Sequence, residues 1–76
     1  MSINLVDEVE LRLKKGFEHA DIAIDFGDGK HMFLEISSAE FAGLSLVDQH
    51  RKVYSCLQDL INDGYLHALK LKTNVK

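Results

Sequence analysis

Four histidines, one cysteine and a few clustered charges are the side chains of this 76-residue chain with the clearest capacity for chemistry. A neutral imidazole offers a nitrogen lone pair that can replace a thiolate at iron, and it changes charge near neutral pH. His31 follows the turn-forming run Gly27-Asp28-Gly29-Lys30, which can present an imidazole at the edge of a sheet. His67 lies in Tyr65-Leu66-His67-Ala68-Leu69, where alternation puts it on the side of Tyr65 and Leu69. Each has a plainer reading: His67 as a hydrogen-bonded structural side chain, His31 as an exposed residue at a strand start. His50 shares an apolar helical stripe with Leu46, Val53 and Leu57, which assigns it to the edge of the core. His19, in the polar connection Glu18-His19-Ala20, reads as solvated.

Cys56 is the single cysteine. One thiol forms no internal disulfide and is too few for a self-contained zinc site or cluster, so any cluster needs ligands from elsewhere. Cys56 itself reads as a small helix residue. No catalytic set stands out. The chain has no Ser-His-Asp context, no nucleotide-binding glycine fingerprint and no pair of acids in pocket-like sequence. Asp25 and Asp28 bracket a turn and read as turn chemistry rather than as acid-base partners. The expectation is therefore a protein that is not an enzyme.

The net charge of -3 argues against broad nucleic-acid binding, which needs a basic face. Arg51 and Lys52 are adjacent, and Lys70, Lys72 and Lys76 crowd the C-terminus, but such charges ordinarily form a solvated face.

The elements that must position these residues follow from the apolar periods. Leu5, Val6, Val9 and Leu13 recur at helical spacing, with Asn4 or Ser2 as the cap, acids near the start, Lys14 and Lys15 near the end, and Gly16 as a left-handed stop. From Asp21 the period falls to two. Ile22, Ile24 and Phe26 precede the turn, and Met32, Leu34 and Ile36 follow it, which predicts an antiparallel hairpin. Ser45 and Asp48 resemble a capping box ahead of a stripe of Leu46, His50, Val53, Leu57, Leu60 and Ile61. Periodicity leaves open whether Ser55 and Cys56 lie in one helix or near a bend between two. Gly64 ends this region, and Tyr65 to Thr73 reads as a final strand. The order helix, strand, strand, helical region, strand predicts an α+β domain with helices on one face of a three-stranded sheet.

Seventy-six residues suffice for one domain, with modest stability. No apolar run approaches the ~20 residues that span a bilayer, and the first residues lack signal-peptide character. The expectation is a complete, soluble, cytoplasmic protein.

Three motifs, Phe41-x-Gly43, His50-Arg51-x-Val53-Tyr54-x-x-Leu57 and Leu66-His67-Ala68-Leu69 followed by Thr73, together resemble the BolA family. The Gly27-Asp28-Gly29-Lys30-His31 turn looks like that of its IbaG-like branch. The resemblance implies one BolA-like domain over residues 1–76, with a type II KH-like fold and a mixed sheet. KH domains clamp a nucleic-acid backbone with a GXXG loop, whereas Tyr54-Ser55-Cys56-Leu57 contains no glycine.

The resemblance further implies a non-enzymatic adaptor that binds a monothiol glutaredoxin and shares a [2Fe-2S] cluster with it. Glutaredoxin cysteine, glutathione thiolate and the imidazoles of His67 and His31 would be the ligands, and the isolated chain would carry no cluster. Implied roles are iron-sulfur assembly, trafficking or iron sensing, with iron-sulfur client proteins as further partners and no membrane. A homodimer is compatible with this picture. The alternative it implies is a stress-linked transcription regulator in which Arg51 and Lys52 contact DNA phosphates. Many members carry Arg-His-Arg where this chain has Gln49-His50-Arg51, which removes one positive charge and makes weak DNA binding the expectation.

Overall fold

A computed structural model describes residues 4–76. Helix α1 (Leu5–Gly16) leads into strands β1 (Asp21–Asp25) and β2 (His31–Ser38). A 3-10 turn (Ala39–Phe41), helix α2 (Leu46–Asn62) and strand β3 (Ala68–Val75) complete the order. The cap of α1 is Asn4, whose side-chain oxygen accepts from the Asp7 N–H at 3.2 Å. The alternative cap, Ser2, lies outside the described residues. Asp7 and Glu8 in the first turn and Lys14 and Lys15 in the last complement the helix dipole.

Gly16 is not the left-handed stop that the sequence suggests. It is the last helical residue, and positive φ appears instead at His19 (55°). The need for glycine at 16 is steric, because a Cβ there would run into Cys56 Sγ on α2. Ser45 caps α2 by accepting from the Asp48 N–H at 3.1 Å, as the box pattern predicts. The helix runs unbroken through Ser55 and Cys56. Leu46 departs from the expected stripe and is 62% exposed, because the first turn precedes the stretch packed on the core through Val53, Leu57 and Leu60.

The sheet order is β1-β2-β3, so β2 is central. β1 and β2 pair antiparallel from Asp21↔Ser37 to Asp25↔Phe33, while β2 and β3 pair in parallel from His31↔Ala68 to Ser38↔Val75. Met32, Leu34 and Ile36 point from β2 into one core with Val9, Leu13, Phe17, Phe41, Val53, Leu57, Leu60 and Leu66. Phe17 and Phe41 meet edge to face at 5.3 Å between ring centres. Phe26, expected to continue β1, instead opens the turn and packs half-buried against the core. Across the helices, Arg12 donates to both Asp59 oxygens, at 2.7 Å from Nη2, and also bonds Glu8.

β3 begins later than the alternation indicates. The N–H groups of Tyr65 and Leu66 both reach Leu60 O, at 3.0 and 3.2 Å, closing the end of α2 instead of pairing with β2. His67 therefore sits one residue ahead of the strand rather than within it.

Candidate metal-ligating groove

Parallel pairing decides where the two candidate histidines go. β2 and β3 start at the same end of the sheet, and the register sets His31, the first residue of β2, opposite Ala68, the neighbour of His67. Both side chains line a single groove of about 320 Å³, together with Leu5, Phe26, Tyr65 and Leu66. Leu66 is buried and anchors the approach to β3, while Tyr65, His67 and His31 are exposed. Gly64, with φ of 80°, turns the chain back from α2, and its open side faces the His67 ring.

The hairpin turn holds His31 tightly. Asp25 Oδ1 accepts from the Gly27 N–H at 3.1 Å, and Gly29 takes positive φ as its N–H bonds Phe26 O. Asp28 Oδ1 then accepts from the N–H groups of Lys30 and His31 at 2.8 and 2.7 Å. Both aspartates thus do the turn chemistry expected of them. Asp28 does more: its Oδ2 lies 2.7 Å from His31 Nδ1. Hydrogen bonds from the His31 backbone, the His31 ring and the Lys30 backbone hold the Asp28 carboxyl far below the usual carboxylate range. The sequence reading missed this contact, whose signal is the three-residue Asp-x-x-His spacing across a glycine turn.

The groove offers two imidazoles. Among the described residues no group of three or more His, Cys, Asp or Glu side chains is arranged to hold a metal ion. Cys56 is remote from it, half-buried beside Gly16 with its Sγ 3.6 Å from Lys52 O. Burial raises the Cys56 thiol above its ordinary value, which suppresses the reactive thiolate. His50 is half-buried on α2, and His19 is exposed. A second depression, about 350 Å³, lies on the open face of the sheet between Phe33, Glu35, Lys70 and Lys72, away from the histidines.

A family model described as BolA-like protein matches residues 8–76. The chain belongs to the BolA family. It is 44% identical over 69 residues to the uncharacterized protein RP812 of Rickettsia prowazekii, covering 88% of each chain. It also resembles the solved structure of BolA1 from Arabidopsis thaliana, with a TM-score of 0.84 and 29% identity over 97% of this chain and 94% of that one. SufE-like protein 1 of Arabidopsis thaliana is 42% identical over 72 residues, but these make up only 19% of that protein and 87% of this chain.

Within this BolA-like frame the motif residues acquire separate tasks. Thr73 Oγ1 donates to Gln49 Oε1 at 2.6 Å, and Gln49 Nε2 donates to Leu44 O at 3.0 Å. Gln49 thus ties α2 to β3 and to the loop before it. Arg51 lies 3.8 Å from Asp48, and Lys52 lies 3.6 Å from Glu40 and over the Phe17 ring. Each basic side chain already faces an acid. The segment Tyr54 to Leu57 lies in the middle of α2 and forms no loop.

Proposed function

We propose that this BolA-like chain is a non-enzymatic adaptor that docks on a monothiol glutaredoxin and contributes the imidazoles of His67 and His31 to a [2Fe-2S] cluster held between them. The observation that carries the reading is the shared groove of His31 and His67 at the head of the parallel strand pair. Two imidazoles are half of a four-ligand set, and among the described residues no group of three or more His, Cys, Asp or Glu side chains is arranged to hold a metal ion. Such a donor set fits a cargo whose remaining ligands, a glutaredoxin cysteine and a glutathione thiolate, arrive with the partner. The cluster supplies the iron and its redox chemistry. This chain supplies two neutral nitrogen donors, an exposed Tyr65 at the rim and a turn that keeps one donor in place. The occurrence of a similar stretch inside a SufE-like protein is in keeping with a role beside another activity.

Anaerobic mixing with a cluster-loaded monothiol glutaredoxin tests this. The expected result is a heterodimer by mass with an altered absorption and circular dichroism spectrum. No complex at tens of micromolar and an unchanged spectrum would overturn it. A DNA-binding regulator is the less supported reading, because the net charge is -3 and Arg51 and Lys52 each lie near an acid, Asp48 and Glu40.

A further inference from the structure

The contact between Asp28 and His31 specifies which ring nitrogen the hairpin can offer. A carboxylate only accepts hydrogen bonds, so the His31 Nδ1 that lies 2.7 Å from Asp28 Oδ2 must carry the proton. The neutral ring then has its lone pair on Nε2. Asp28 is itself locked, because its other oxygen takes two backbone N–H groups of the same turn. We propose that Asp28 is a positioning residue: it fixes the tautomer and direction of His31 so that Nε2 is the donor presented to the groove. This inference rests on the ligand role proposed for His31. The His31 side chain is 61% exposed, so the Asp28 contact is its hydrogen-bond tie to the turn. Carboxylates that orient ligating histidines in this way commonly change metal affinity or activity by about 10–100-fold when mutated.

Asp28→Asn is the informative variant, because it keeps the turn and reverses the hydrogen bond. Its amide oxygen can still accept from Lys30 and His31 N–H, while its NH2 group donates to Nδ1 and leaves the proton on Nε2. Long-range 15N–1H spectra of the isolated chain at pH 8.5, where free imidazole is neutral, read the tautomer without any cluster. The wild type should show His31 protonated on Nδ1 and Asp28→Asn should show it protonated on Nε2, with thermal melts establishing that both are folded. Titrated against cluster-loaded monothiol glutaredoxin, Asp28→Asn should need about 10–100-fold more protein to reach half of the wild-type spectral change. An unchanged tautomer, or an unchanged titration midpoint, would overturn the role of Asp28. If the wild type itself produced no spectral change, the adaptor reading would fail. The tautomer measurements would then decide separately whether Asp28 controls the ring.

Discussion

At the scale of single residues, the two imidazoles carry unequal weight. His31 sits on a turn held by its own side-chain contacts, whereas His67 follows the buried anchor Leu66 and leads directly into β3. His67→Ala should abolish the shared-cluster spectrum in a folded protein, and His31→Ala should give a weaker or altered complex; thermal melts of both variants check that unfolding does not mimic ligand loss. Cys56→Ser should leave cluster sharing intact, since the thiol lies against Gly16 and outside the groove. Loss of the cluster from folded Cys56→Ser would show that the ligand choice is wrong. The histidines themselves were legible from their motifs. Their convergence was not, because it depends on the register between β2 and β3, and alternation within a strand says nothing of its partner.

At the scale of elements, the helices, the hairpin and the α2 cap were readable because each is set by local periods and caps: Asn4, Ser45, and the alternation of Met32, Leu34 and Ile36. What escaped were close approaches between elements. Gly16 matches a helix stop in sequence but serves the contact with Cys56, and the delayed start of β3 follows from two N–H groups captured by Leu60 O. A double-mutant cycle on Gly16→Ala and Cys56→Ala should therefore give a coupling of about 0.5–3 kcal/mol in chemical denaturation, with Gly16→Ala tolerated better once the sulfur is gone.

The Arg12–Asp59 bridge between α1 and α2 predicts a pH effect of defined sign. The Arg12 hydrogen bond lowers the Asp59 carboxyl below its ordinary value. Its stabilisation is therefore present above the unfolded value of about 3.9 and is lost as pH falls through the lower folded value. Thermal melts of wild type and Asp59→Asn should differ at pH 7 and converge as pH drops below about 3.9. A gap with no pH dependence would assign the effect to packing.

At the scale of the whole molecule, a sheet covered on one face by two helices leaves a small reserve of stability. Phe41, fully buried against Phe17, is a principal filler of that single core. Phe41→Ala should cost about 3–5 kcal/mol by denaturant titration, a large share of the ~5–15 kcal/mol typical of a folded protein. The net charge of -3 and the engagement of Arg51 and Lys52 with acids predict only weak duplex DNA binding at physiological salt. Tight, sequence-selective binding, with a log-log salt slope near -0.9 per phosphate and lost in Arg51→Ala and Lys52→Ala, would favour the regulator instead.

The central claim is that nitrogen atoms of this chain bind the iron of a shared cluster, and hyperfine spectroscopy addresses that bond itself. The chain is labelled with 15N-histidine, combined with an unlabelled cluster-loaded monothiol glutaredoxin, reduced, and measured by pulsed electron paramagnetic resonance. The account predicts strong 15N coupling from the reduced cluster, with the His31 contribution missing in His31→Ala. A complex that forms with this chain yet shows no 15N-histidine coupling would contradict it.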